Sequence, residues 1–373
     1  MRVLVMGGSQ FNGYALVHEL VRGGHEVAVL NRGRTEVDFP RSVRRLVADR
    51  TDHDQVRAVL ADEAFDVVQD MSAYHPADVE LMVELFEGRI GHYIFASSTV
   101  IYAPSDILPI TEDHPTDRGP HQNEYGLHKL LCEDVLIDAW RRRGFPATIV
   151  PFSMVFGPRN ILADREQRMI LRLLRGRPVL VPGDGTTLGQ VGHVDDQARA
   201  LRMMMLQPQT FGKRYNLTGG SYYSDEGYVD TFAQVLGVEP DKVFIPAPVM
   251  DDLWDGAVVL EPGRATPVKI DIRSSGAARD DAQAARRKFM LAQLVQRLGP
   301  NLHRWNRSVV FSIDKLRADI GWAPEYTLAA MVDHVYRWMV AEGLDRSLDL
   351  DFSFEDQILA YVRDVDREAR APQ

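Results

Sequence analysis

A tyrosine and a lysine four residues apart, in Tyr125-Gly-Leu-His-Lys129, carry the clearest chemical signal in this chain. On a helix that spacing puts both side chains on one face, so that their polar ends reach one ligand. A free phenol, with a pKa of about 10, is a poor base at neutral pH, and an ammonium held close to it favours the phenolate. The pair therefore suits proton exchange with an alcohol or ketone, and the lysine is also able to hydrogen-bond the ribose of a nicotinamide. A Tyr-x-x-x-Lys match by itself arises by chance in many helices. It gains weight from an upstream apolar run that ends Ala96-Ser97-Ser98-Thr99, which sets the hydroxyls of Ser98 and Thr99 at the C-terminal edge of a strand.

Strands and helices must deliver these groups to one place. The first 150 residues repeat a short β-rich apolar run followed by a longer segment of helical period, the pattern of an α/β chain whose parallel sheet is doubly wound by helices. Strands are predicted at Arg2 to Met6, Glu26 to Leu30, Arg45 to Val47, Phe65 to Val68, His92 to Ala96 and Ala147 to Phe152. Helices are predicted at Asn12 to Arg22, Asp52 to Leu60, Ala77 to Phe86 and Glu124 to Arg143, with Gly23-Gly24, Gly88 and Gly144 as stop signals. Six such strands fit a Rossmann-type sheet. Beyond Pro151 the alternation loosens, and the stretch from Pro178 to Gly185 cannot be helix interior. A helix at Asp195 to Met205 and a strand at Lys213 to Leu217 are expected to rejoin the first domain, and an amphipathic helix opens at Thr327. The expected organisation is a dinucleotide-binding domain of residues 1–153 plus about 190–217, with a smaller substrate-binding cap of residues 154–189 and 218–373.

The turn after the first strand, Gly7-Gly8-Ser9-Gln10-Phe11-Asn12-Gly13, leads straight into a helix. Such a turn lets the backbone approach a pyrophosphate, whose charge then meets the N–H groups of the helix N-terminus. Gly7, Gly8, Gln10, Phe11 and Gly13 are accordingly the expected cofactor contacts, although glycine-rich turns of this kind also occur without a ligand. At the end of the second strand stands Asn31-Arg32-Gly33-Arg34, where a carboxylate would pair with a ribose 2′-OH and an arginine would accommodate a 2′-phosphate. With no carboxylate at Asn31 and with Arg32 beside it, NADP(H) is favoured over NAD(H); the competing reading is an arginine stacked on adenine or a solvated loop. Asp49, past the third strand, reads either as a partner of the adenine amino group or as a helix N-terminal acid.

Bulk properties narrow the class. A formal charge of −10 argues against a broad nucleic-acid or membrane surface, which would need lysine and arginine in excess. The basic exception between Arg264 and Arg307 reads as a solvated amphipathic helix through Asp281 to Leu298 rather than an anion site. No apolar stretch is long enough for a membrane span or a signal segment, so a cytoplasmic protein is expected. The single cysteine, Cys132, excludes a disulfide framework and reads as a buried thiol packed on the sheet rather than a nucleophile. The histidines show no ligand spacing, so no metal is assigned, and His193 is read as a structural polar contact.

With these motifs in place, the chain resembles the extended short-chain dehydrogenases, the superfamily of sugar-nucleotide epimerases, dehydratases and reductases. The resemblance covers about the first 220 residues, through the glycine turn, the Ser-Ser-x-x-x-Tyr segment ending at Tyr102, Tyr125 and Lys129, Val155-Phe-Gly-Pro158, Val194-Asp-Asp196 and Tyr215-Asn-Leu217. It implies that Ser98 holds the reacting oxygen, that Tyr125 is the acid/base and that Lys129 is its electrostatic partner. It also implies that Arg159, after Gly157-Pro158, sits where the cap meets the sheet as a candidate to bind an anionic or polyhydroxyl substrate with Ser98, Thr99 and Ser153, and a homodimer through the helices at Ala77 to Phe86 and Glu124 to Arg143. The departures are as informative. The middle glycine of the family turn is Gln10, which resembles an atypical branch that includes chloroplast stem-loop RNA-binding proteins, as does Gln190-Val-Gly-His193. The asparagine and the arginine with which nucleotide-sugar epimerases grip a diphosphate are replaced by Ser153 and Gly189. Thr99-Val100 stands where 4,6-dehydratases carry an Asp-Glu pair, which disfavours dehydration.

Three functions are therefore carried forward. The first is an NAD(P)-dependent epimerase that oxidises a sugar, sugar nucleotide or nucleoside to a ketone and reduces it again. The second is a dehydrogenase or ketoreductase of a sugar-like or nucleoside-like small molecule using the same residues. The third is a non-catalytic, cofactor-binding, RNA-associated protein, against which the intact Ser98, Tyr125 and Lys129 and the acidic charge both speak.

Overall fold

The computed structural model describes residues 1–120, 122–162, 165–255, 257–258, 260 and 304–370, with side chains described up to residue 365. The helix expected from Asp281 to Leu298, and the basic stretch around it except residues 304–307, lie outside the described residues. By its internal contacts the chain divides into two units, Met1–Arg159 with Gln190–Gly220 and Phe311–Thr327, and Asn160–Gly189 with Ser221–Val310 and Leu328–Gln373.

The first unit opens β1 (Arg2–Met6), α1 (Phe11–Arg22), β2 (Glu26–Asn31), β3 (Arg44–Val47), α2 (His53–Leu60) and β4 (Val67–Asp70). It continues α3 (Pro76–Phe86), β5 (His92–Ser98), α4 (Glu124–Arg143) and β6 (Ala147–Phe152). The six strands form one sheet in the order β3-β2-β1-β4-β5-β6, and every pairing is parallel. This is the doubly wound Rossmann-type α/β fold. Alternation along β1 shows why both faces are covered. Val3 and Val5 point into a core with Leu16 and Leu20 of α1 and Leu201, while Leu4 and Met6 point into a second core with Phe86 of α3 and Leu136 of α4.

The strand boundaries differ from expectation where polar residues are buried. β4 lies at Val67–Asp70 rather than Phe65 to Val68, because Gln69 and Asp70 are inside the sheet and paired: the Gln69 amide donates to the Leu201 carbonyl at 3.1 Å, and Asp70 accepts from Arg50. β5 likewise runs on to Ser98, with Ser97 bonded to the buried Glu133. The expected strand at Lys213 to Leu217 runs along β6 but forms only isolated parallel bridges, at Arg214 and Leu217. Ile149 N–H donates to Lys213, Tyr215 to Ile149, Leu217 to Pro151 and Ser153 to Leu217, whereas Pro151 itself has no N–H to give. The ladder is broken at the one residue that lacks a donor.

A segment that sequence reading assigned to the cap, Phe311–Thr327, groups with the first unit instead. Trp322 is fully buried in the core beside α1, and its indole N–H donates to the Asp196 carbonyl at 3.1 Å. The buried Asp196 carboxylate accepts the N–H of Glu325 at 2.9 and 3.0 Å, that of Tyr326 at 3.0 Å and Arg199 at 3.1 Å.

In the second unit, Val179–Pro182 pairs in parallel with Lys242–Ile245, and Arg168 makes a two-pronged bond to the buried Glu355. Among the described residues no helix is long and apolar enough to cross a membrane.

Removing the Asp196 carboxylate takes the acceptor from the part-buried N–H groups of Glu325 and Tyr326 and one of its partners from Arg199, which also donates to the Ala323 carbonyl. Asp196→Ala is expected to cost about 2–4 kcal/mol, read as a lower urea midpoint and Tm.

Candidate active site

The glycine turn joins β1 to α1. Gly7 takes φ +87°, and Gly8 is buried beside it. The replaced family glycine causes no strain at its own position: Gln10 is extended, with φ −135° and ψ 147°, and caps α1 through its carbonyl, which accepts Gly13 N–H at 3.0 Å and Tyr14 N–H at 3.2 Å. The unusual angle falls on the next residue, Phe11, with φ +36°. Gly13 presses the helix onto the turn so closely that a Cβ there would lie 2.7 Å from the Gly7 carbonyl oxygen and 2.9 Å from the Gly8 Cα. A backbone cradle that only glycine permits, opening on first-turn N–H groups that have no partner within the helix, fits a dinucleotide pyrophosphate.

Of the residues expected at the adjoining strand ends, Asn31 contacts that turn. The Asn31 amide donates to Ser9 Oγ at 2.7 Å, tying the end of β2 to the glycine turn, and Asn31 Oδ1 accepts Gly33 N–H at 2.8 Å. Arg32 is exposed just beyond. Asp49 follows β3, and its carboxylate accepts the N–H and the hydroxyl of Thr51 at 3.1 and 2.8 Å.

Helix α4 is capped at its start by Asn123, whose side chain accepts Gly126 N–H at 2.8 Å, and at its end by Gly144 with φ +68°. Tyr125, in its first turn, is 42% exposed, whereas Lys129, one turn on, is 3% exposed. The Lys129 ammonium points inward and donates to the carbonyls of Ala73, after β4, and Ala96, on β5, each at 2.7 Å. It also lies 4.8 Å from the ring centres of Tyr74 and Phe95 and 5.7 Å from that of Tyr125. Burial pulls its pKa down to about 8, with Cys132, Asp70 and Glu133 acting to raise it and Arg50 to lower it further. Ser98 closes β5, nearly buried, and its Oγ accepts Val100 N–H at 3.4 Å; Thr99 is buried next to it.

The remaining expected residues are distributed. Ser153, after β6, donates to Thr218 Oγ1 at 2.6 Å. Arg159 takes φ +65° and lays its guanidinium 4.5 Å over the Tyr14 ring on α1. Cys132 is buried, and burial pushes its thiol up to about 12, as suits an inert packing residue. His193 is fully buried, accepts Asp195 N–H at 3.2 Å and stacks on Tyr326 at 3.6 Å. In the second unit, a Cβ at Gly189 would meet the Tyr223 ring at 2.8 Å, so Tyr223 fills the space where a longer side chain would start.

Two features escaped sequence reading. Tyr74 brings its ring to 5.9 Å from that of Tyr125. Arg50 reaches from the Asp49 loop to bind Asp70 through both terminal nitrogens, at 2.7 and 2.6 Å. The signal for Arg50 was a charged residue followed, one strand later, by a carboxylate in an apolar run.

The sequence model of the NAD dependent epimerase/dehydratase family matches residues 3–218. A chloroplast stem-loop binding protein of 41 kDa from Arabidopsis thaliana is 27% identical over 96% of this chain and 84% of its own length. A 2′-dehydrokanamycin reductase from Streptomyces kanamyceticus is 26% identical over 71% of this chain and 75% of its own. Among solved structures, a UDP-glucose 4-epimerase from Thermotoga maritima superposes with a TM-score of 0.66 at 18% identity, over 92% of this chain and 99% of the other.

The cradle yields a direct test. Gly13→Ala is expected to weaken NAD(P)H binding by about tenfold or more, equivalent to ~1.4 kcal/mol, in a fluorescence titration, because the colliding atoms are backbone and have nowhere to move.

Proposed function

This chain belongs to the NAD dependent epimerase/dehydratase family and is an NAD-dependent oxidoreductase-type enzyme, and on that premise we propose that it epimerises a secondary alcohol of a sugar, sugar nucleotide or nucleoside through a transient ketone. The observation that carries this reading is the buried Lys129 ammonium, held by two carbonyls one helical turn from the half-exposed Tyr125 phenol. When bound, the dinucleotide supplies the acceptor and donor of hydride. Tyr125, as the phenolate, takes the hydroxyl proton as the alcohol becomes a ketone and returns it when the ketone is reduced, and the Lys129 charge favours the phenolate that opens the cycle and is restored at its end. Ser98, at the end of β5, hydrogen-bonds the reacting oxygen. Arg32 borders the adenosine ribose and favours NADP(H).

A second reading, an NAD(P)-dependent dehydrogenase or ketoreductase of a sugar or nucleoside, is favoured by the filled space at Gly189. Tyr223 stands against the position from which the family arginine would reach a diphosphate, and Ser153 turns its hydroxyl to Thr218. Both observations support a substrate without a diphosphate, as does the likeness to a reductase acting on 2′-dehydrokanamycin. A third reading, RNA association, draws on the likeness to the chloroplast protein, and the net charge of −10 opposes it.

Identifying the nucleotide released from the purified protein, then screening sugars, nucleosides and sugar nucleotides for absorbance change and solvent deuterium uptake, separates the first two readings. A retained dinucleotide with no net absorbance change supports epimerisation; stoichiometric oxidation or reduction supports the dehydrogenase. Tyr125→Phe is expected to abolish turnover while leaving nucleotide binding nearly intact, and a fully active variant would remove Tyr125 from the mechanism. Arg32→Ala is expected to weaken NADP(H) more than NAD(H), and equal losses would overturn the preference.

A further inference from the structure

The peptide that holds Lys129 is itself held from the other side. Its carbonyl, of Ala73, takes the Lys129 ammonium at 2.7 Å, and its N–H, of Tyr74, donates to Asp78 Oδ2 at 3.2 Å. The residues just before it are pinned by Asp70, whose Oδ1 accepts the N–H of Ser72 at 3.1 Å and of Ala73 at 3.0 Å. Arg50 gathers both carboxylates: its terminal nitrogens bind Asp70, one of them reaches the Asp78 carbonyl at 3.3 Å, and its Nε lies 3.8 Å from Asp78 Oδ2. Tyr93 donates its hydroxyl to the same Asp70.

We propose that Asp78, which acts through the Ala73–Tyr74 peptide, and Asp70, which pins the two residues before that peptide's N–H, are positioning residues for Lys129, both gathered by Arg50. An amide placed between an ammonium and a carboxylate is polarised by both, so each bond strengthens the other. Charge counting leads to the same place. Lys129, Asp70 and Asp78 are buried and Arg50 is nearly so, and two cations balance two anions only while Lys129 keeps its proton. The other groups near this set do not alter the count. Glu133 on α4 is paired with Arg214, Cys132 is a neutral thiol, Tyr74, Phe95 and Tyr125 present ring faces, and His53 lies 3.5 Å from Asp78 at a partly exposed position.

The proposal rests on the reading of Lys129 as the ammonium beside the proton-transferring phenol, and its test needs no turnover. Full-length protein carrying 13Cε-labelled lysine is titrated by NMR, with the Lys129 signal assigned from Lys129→Arg. Asp70→Asn is expected to lower the Lys129 midpoint by at least about half a pH unit, Arg50→Gln to raise it, and the double variant, which removes one charge of each sign, to bring it back toward the wild type. Should the single Asp70 variant fail to fold, Arg50→Gln and the double variant carry the same comparison. Midpoints unchanged in all variants, or lowered equally in the single and double variants, would overturn the proposal. Because the wild-type titration is read without substrate, that failure leaves the enzymatic reading standing, and an inactive wild type leaves the positioning result intact.

Discussion

Taking an ammonium out of water costs several kcal/mol unless the protein supplies partners, and Lys129 receives two carbonyls and three ring faces. The carbonyls belong to different pieces of the sheet, one on β5 and one in the loop after β4. A side chain on α4 that must satisfy both leaves the helix little freedom to slide or roll. The position of Tyr125 follows, since it lies one turn toward the N-terminus of the same rigid rod. The start of that rod is set by the Asn123 cap and its end by Gly144. The geometry of the phenol is thus a consequence of where a buried charge finds its partners.

Much of the fold was legible because hydrophobic periodicity and glycine stops are local signals. β1, β6 and α4 lie where their patterns place them, and the pairing of Tyr125 with Lys129 is a matter of helical spacing alone. What was not legible depends on contacts distant in sequence. The β4 boundary moved because Gln69 and Asp70, polar by type, are buried by virtue of partners at Leu201 and Arg50. The place of Phe311–Thr327 in the first unit depends on Trp322 and on a carboxylate more than a hundred residues earlier in the chain. Tyr74 carried no pattern at all; its meaning arises from the ring it meets.

The departures from the family pattern are compensated locally. Gln10 fits because the backbone there is extended, and the demanding φ has passed to Phe11, which opens α1. Gly189 is matched by Tyr223, which occupies the volume its missing side chain leaves.

The clip at Asp196 has a bearing on how the protein is made. The chain leaves the first unit at Arg159, returns at Gln190, leaves at Gly220 and returns at Phe311. No continuous fragment therefore contains the sheet with its whole core and nothing else. During synthesis the six strands emerge within the first 152 residues, yet the indole that completes one face of their core arrives only at Trp322. Until then that face lacks its last side chain, and apolar surface in such a state is prone to aggregation. One face of the nucleotide fold is therefore completed by a segment that leaves the ribosome long after the last of its six strands.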